Sequence, residues 1–303
     1  MSESIPRIRI YAERGYFLFR DGLSLTFYMR HPHVRIAAGV VRSLDTYLRA
    51  IGQNGLSDYS ERAGQWQKLD DAGWARIRDE LLSRRQLRVQ LADTSGEQPY
   101  RFEYTGSSLE PLPWDSDGSN LVSAVSFWLP TEYLEQHGPG RVRELALELA
   151  APLPLSSGHA GLSFNSERNL LGAVEEVQEY CFRYPGMDIP DPSLLASDIG
   201  TRVKGVHWLN FLGQPVLGEL GGAAGLRARL HSPGTTVQEL EEERVVVTLG
   251  PRPEAGDTER GDVLPAYREL ARVLEPWLYR TVSRFAHLEV PEHVHRWERR
   301  FLD

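Results

Sequence analysis

Apolar and polar positions alternate along the start of the chain with the period of a strand. Ile8 and Ile10 alternate with Arg7 and Arg9, and Tyr16-Phe17-Leu18-Phe19 leads through Arg20-Asp21-Gly22 into the β-prone run Leu23–Met29. An Asp-Gly pair between two such runs predicts a hairpin, because both central positions of its turn favour positive φ. From Val34 to Ile51 the period becomes helical, with Val40, Val41, Leu44, Tyr47, Leu48 and Ile51 on one face, and Gly52 and Asn54-Gly55 to end it. Asp70 or Asp71 caps a second predicted helix through Leu82, with Trp74, Ile77 and Leu81 inward. Arg88–Leu91 and Tyr100–Tyr104 read as paired strands.

The stretch Val122–Asn165 is the most strongly signalled: strand, short helix, turn, long helix, turn, strand. Pro130 suits a first helical turn, Gly138 a stop, and Pro139 a restart whose Val142, Leu145, Leu149 and Leu153 keep helical spacing. Glu167–Cys181 follows as a helix with Leu170, Leu171, Val174, Val177 and Cys181 inward, then the proline-punctuated connector FRYPGMDIPDPSLL. Val206–Leu220 reads as a strand, a Gly-Gln-Pro turn and a return strand, and Val245–Leu249 as a further strand. Asp262 is placed to cap a final long helix carrying Leu264, Tyr267, Leu270, Leu274 and Leu278, with the Trp297 and Phe301 tail docking as a short helix.

This order lacks the βαβα alternation of a doubly wound fold. It predicts an α+β protein with a mixed, largely antiparallel sheet packed with helices. Two similar subdomains are one arrangement: residues 1–105, a linker at 106–120 rich in Gly, Pro, Ser and Asp, and residues 121–303. One continuous domain is the other. Ser24–Ile51 and Ser123–Ala150 echo each other weakly, each a strand running into a helix.

Composition narrows the function. The 303 residues carry a formal charge of −8, which argues against a general nucleic-acid binder and mildly favours a basic protein partner. A hydrophobic content of 41% without a membrane-length run, and an N-terminus without an apolar leader core, predict a cytoplasmic protein with no membrane partner. The single cysteine, Cys181, excludes an intramolecular disulfide and a Cys-rich zinc site. Lysine occurs only at Lys68 and Lys204, a bias that genome base composition explains.

No catalytic apparatus is legible. His31-Pro32-His33 and His293-Val294-His295 have metal-ligand spacing, but the first sits at a helix entry and the second on a predicted helix, where i and i+2 diverge. No metal site and no cofactor is therefore expected. His159 lies among Ser156, Ser157 and Ser163 without a local acid or a G-x-S-x-G elbow, and reads as a loop histidine bonded to a carbonyl. Cys181 reads as an inert core thiol, and Gly218–Gly225 as a strand-to-helix turn rather than a phosphate loop. Two features suit partner binding instead: Trp114 beside Asp115 and Asp117, and the acidic run containing Glu241, Glu242 and Glu243.

Several segments resemble one bacterial family: SFWLPTEYLEQHGPGRVRELALELAAPLPLSSGHAGLSFN (126–165), CFRYPGMDIPDP (181–192), WLNFLGQPVLGELGGAAGLRARLHSPGTTVQEL (208–240) and LPAYRELARVLEPWLY (264–279). The family is that of type VI secretion immunity proteins associated with VRR-type nuclease toxins, formerly a domain of unknown function. The resemblance implies a non-enzymatic inhibitor that binds a cognate nuclease effector and blocks its active or DNA-binding site, without itself contacting nucleic acid. The alternatives are an enzyme with a pocket near His159, or a stand-alone interaction or sensor module. The sequence leaves the oligomeric state open.

Overall fold

The computed structural model describes residues 5–12, 15, 17–60, 65–93, 97, 99–110, 120–166, 173–282 and 290–303, with only the backbone of 173–176. The first part of the chain runs β1 (Arg9–Tyr11), β2 (Phe17–Met29), α1 (His33–Ile51), β3 (Asp58–Ser60), β4 (Trp66–Lys68), α2 (Asp71–Ser83), β5 (Leu87–Ala92) and β6 (Arg101–Gly106). Next come β7 (Ser123–Pro130), α3 (Thr131–Ala150), β8 (Ser157–Ser166), α4 (Ala173–Cys181), α5 (Pro192–Leu195) and β9 (Leu209–Leu212). The last part holds α6 (Val216–Glu219), α7 (Gly222–Arg227), β10 (Thr235–Leu240), β11 (Arg244–Leu249), α8 (Pro265–Leu274) and α9 (Glu292–Glu298).

All eleven described strands form one antiparallel sheet in the order β10-β11-β9-β8-β2-β7-β6-β5-β3-β4, with β1 added beside β2. The fold is α+β. The predicted hairpin at Asp21-Gly22 does not form: β2 runs straight through it, paired to β7 on one side and β8 on the other. The reason is tertiary. Asp21 is fully buried, accepting the Ile8 N–H at 2.7 Å, the Thr131 hydroxyl and the Arg9 guanidinium. A side chain at Gly22 would collide with Asn165 and the Leu129 carbonyl, so glycine serves close packing here rather than a turn.

Alternation gives β2 two unlike faces. Leu23, Leu25, Phe27 and Met29 enter the main core, where Phe27, Phe127, Phe102 and Tyr47 of α1 meet at centroid distances from 5.2 to 6.5 Å. Helices α1 and α3 cover this face and lock together where the Ser43 hydroxyl donates to Leu149 O at 2.8 Å. The α3 segment bends at Gly138 (φ 77°) and resumes at Pro139, as its sequence predicts. Asp70 caps α2 through Gly73 N–H, also as predicted. The opposite face carries Ser24, Thr26, Ser126, His159, Ser163 and Asn165, all buried. It is covered by the 182–208 connector and by a small second core of Tyr28, Val122, Ala124, Leu195, Ala196, Ile199 and Tyr279.

Three other expectations change. After β9 the chain forms α6, not a return strand, with Val216, Leu217 and Leu220 buried on one side of a single turn. The glycine-rich run therefore joins two short helices. Asp262 does not cap α8: it accepts from Asp257 N–H, while α8 starts at Pro265 behind Leu264 in the left-handed region and stops at Leu274. The predicted Glu167–Cys181 helix is described only from Ala173 onward. At the sheet rim, Arg227 of α7 reaches over β10, with Nη1 on Glu239 at 2.8 Å and Nη2 donating to Val237 O at 3.0 Å. The trailing α9 and Phe301 dock as expected, Phe301 being buried against Tyr267.

Replacing Gly22 by valine should cost about 1–3 kcal/mol through overpacking in the central strand. Urea unfolding measures this; an unchanged midpoint would contradict the close approach of Asn165.

Candidate functional site

Strand β8 aims His159 at the polar face, opposite Thr26 of β2 and Asn210 of β9. The connector then brings in an acid. Asp188 N–H donates to Leu162 O at 2.7 Å and Phe164 N–H to Asp188 O at 2.8 Å, a parallel bridge that fixes the aspartate against β8. Its Oδ2 lies 3.1 Å from His159 Nε2, and Lys204 Nζ reaches both carboxylate oxygens at 2.7 Å. Lys204 also donates to Ile189 O at 2.7 Å. His207 stacks on His159, with centroids 4.0 Å apart and planes at 19°. Asn210 holds the His207 backbone by accepting its N–H at 2.9 Å and donating to its carbonyl at 2.6 Å. The His207 Nε2 is 3.2 Å from Asp188 Oδ1 but out of line, so neither ring nitrogen has a hydrogen-bond partner.

Electrostatics follows from burial. Burial opposes ionisation of Asp188, but Lys204, His207 and His159 outweigh it and hold the carboxyl well below the usual range. Burial pushes Lys204 down despite the facing Asp188. Both imidazoles are pushed down by burial, His207 to about 3 with the stacked His159 adding to the shift. The centre is thus one Asp–Lys ion pair flanked by two neutral imidazoles.

The His159–Asp188 pair has the form of the base-and-orienter half of a catalytic triad, but among the described residues no nucleophile completes it. Ser24 Oγ is 3.5 Å from Asp188, not from an imidazole. Among the described residues no hydroxyl or thiol bonds to either ring, and His159 is only 2% exposed. His159, Asp188 and His207 also form a metal-type donor set, with ligand atoms within 4.8 Å of one another. Lys204 already supplies the positive charge on both carboxylate oxygens, and the rings stack rather than converge. The arrangement is an electrostatic clamp on the sheet.

The other sequence candidates fall elsewhere. His159 is a strand residue bonded to a carboxylate, not a loop residue on a carbonyl, and its partner comes from 29 residues away. His33 Nδ1 pairs with Tyr104 Oη at 2.7 Å. His293 meets Gln178 at 3.0 Å and His295 lies 3.4 Å from Glu298, so neither His-x-His pair converges. Cys181 is buried, which pushes its thiol up to about 11. Trp114, Asp115 and Asp117 lie outside the described residues. Glu241, Glu242 and Glu243 form the exposed three-residue turn between β10 and β11, with Glu242 and Glu243 in the left-handed region at φ 57° and 53°. Arg244 beneath them donates to Glu241 O at 2.9 Å and is anchored on Leu153 O at 2.5 Å.

Residues 39–301 match the family TsiV, described as type VI immunity for VRR-NUC, and the chain belongs to that family. The solved structure of Pseudomonas aeruginosa T6SS protein PA0821 has the same fold: TM-score 0.80 at 20% identity, covering 99% of this chain and 89% of that one. No curated protein matches the sequence. No helix among the described residues is long and apolar enough to cross a membrane.

Lys204→Met, which leaves Asp188 as an unpaired buried charge, should cost about 3–5 kcal/mol, and adding Asp188→Asn should recover part of it. Denaturant titrations of the single and double variants measure both; a neutral single variant would contradict the clamp. His207 has a folded pKa near 3 against an unfolded value near 6.5, so the unfolded chain binds the extra proton between them. Stability should therefore be full above about pH 6.5 and fall as pH drops, by up to about 1.4 kcal/mol per pH unit for each such proton. The depressed Asp188 adds a loss of the same sign at lower pH. Flat stability between pH 7.5 and 4.5 would be incompatible with neutral buried imidazoles.

Proposed function

We propose that this protein is a cytoplasmic immunity protein that binds a VRR-NUC-type nuclease effector and neutralises it by covering its active or DNA-binding site, without catalysis of its own. The observation that carries this reading is membership of the type VI immunity family across residues 39–301. The burial of His159 and the lack, among the described residues, of a nucleophile bonded to it count against the enzyme reading.

The contact surface we assign is the acidic turn of Glu241, Glu242 and Glu243, together with Trp114, Asp115 and Asp117. The exposed carboxylates at the hairpin tip suit a groove built for phosphates, and their negative charge accelerates encounter with an oppositely charged, basic partner. Two consecutive left-handed glutamates cost on the order of 1–2 kcal/mol each, a strain retained where a side chain is needed more than an easy turn.

Co-expression with the cognate nuclease should restore growth to cells that the nuclease alone kills, and the two should co-purify. Absence of both protection and complex would overturn the inhibitor reading. The triple variant Glu241→Lys, Glu242→Lys, Glu243→Lys should slow association about tenfold or more at low salt and flatten its salt dependence. An unchanged association rate would remove the turn from the interface and leave the inhibitor reading intact.

A further inference from the structure

Toxin inhibition gives no role to a cavity beside the clamp. It occupies about 200 Å³ beside the His207–Lys204 clamp, between α4, α5, the 279–281 segment and α9. A dry cavity of about 150 Å³ is enough to admit benzene. Val177, Phe182, Leu194, Leu195 and Val294 form the apolar walls.

The polar end is unusual in what it lacks. Arg300 donates from Nε to Pro185 O at 2.7 Å and from Nη1 to Trp297 O at 3.1 Å. Its guanidinium carbon lies over Trp297, 3.9 Å from the ring centroid, and 4.8 Å from that of Phe301. Other inward arginines, such as Arg9 and Arg20, hold carboxylates. No described carboxylate forms an ion pair with Arg300. His207 beside it is 1% exposed and has no hydrogen-bond partner at either nitrogen.

The carboxylates on the same wall bond elsewhere, except that Glu298 Oε2 only faces His295 Nδ1 at 3.4 Å without a hydrogen bond. Asp188 is held by Lys204; Glu298 Oε1 accepts the Thr281 N–H at 2.9 Å and hydroxyl at 2.6 Å; Asp191 caps α5 through Leu194 N–H at 3.1 Å. Buried polar groups in native proteins nearly always have partners. His207 is the buried donor left without an acceptor, and the fixed fork of the neighbouring Arg300, which holds no carboxylate, suits a planar two-oxygen one.

We propose that this cavity is a binding site for a small amphipathic carboxylate. The carboxylate sits on Arg300 and His207, and an aromatic or aliphatic body fills the space between Phe182, Leu194 and Val294. Such a ligand would tie the C-terminal helix α9 to α4 and α5. The site is independent of the nuclease-binding reading, because none of its residues belongs to the acidic turn.

The full-length protein is titrated with phenylacetate, benzoate and hexanoate by calorimetry, with melting temperature as a second readout. At least one acid should bind saturably at one site and raise the melting temperature. Phenylacetate should bind at least about tenfold tighter than the neutral phenylacetamide, the difference expected when a charged hydrogen bond is removed. Arg300→Gln should lose about tenfold in affinity for the acid, and Val294→Trp, which fills the cavity, should abolish binding of acid and amide alike. No saturable binding by any of the three acids would overturn the site. Equal affinity for phenylacetate and its amide in the natural protein would overturn the carboxylate assignment, whether or not Arg300→Gln folds. Undiminished binding to folded Val294→Trp would overturn the location.

Discussion

Strand β2 is paired along both edges, Gly22–Met29 to β7 and Phe19–Tyr28 to β8. Both of its faces are buried as well, so each alternate residue needs a protein neighbour. On the Leu23–Met29 face the requirement is met by apolar helices. On the Ser24–Tyr28 face it is met by the small apolar core around Tyr28 and by polar pairing: Thr26 with Ser126 at 2.8 Å, and His159 with Asp188. A buried imidazole or hydroxyl without a partner costs about 1–3 kcal/mol. The long connector between α4 and β9 is therefore not slack. It delivers the acid and the lysine that make a polar inner face tolerable, and the cavity lies where that cover is incomplete.

The same logic separates what the chain declares locally from what it does not. The face of α1, the Asp70 cap, the Gly138-Pro139 bend and the β5–β6 pair each depend on residues within a turn or two, and each is readable in the sequence. Asp21-Gly22 misleads because turn chemistry is local, whereas burial of Asp21 by Ile8, Arg9 and Thr131 is not. Val216–Leu220 misleads for a related reason: an apolar run that short fits a strand or one helical turn equally well.

The clamp was the least legible part. His159 finds its acid 29 residues on, in a segment whose prolines hide any period, and the lysine lies 16 residues beyond that acid. A signal did exist. The chain has lysine at only two positions, and both hold an aspartate against the sheet: Lys68 on Asp58 at 3.0 Å and Lys204 on Asp188 at 2.7 Å. Of the two, Lys204 is the point charge fitted to a confined place, whereas Lys68 stands in solvent.

The Arg227 contact at the sheet rim has a consequence for the protein at high concentration. An open sheet ends in two unpaired strands, and an unpaired strand is a template on which copies of the same chain can polymerise. At one end Arg227 takes up the Val237 carbonyl, so an incoming strand would have to displace a charged side chain. At the other end β4 is three residues long and closes on Lys68, whose side chain is 79% exposed. Neither rim offers the long, bare ladder on which fibres seed. A sheet this wide can therefore be concentrated without growing sideways.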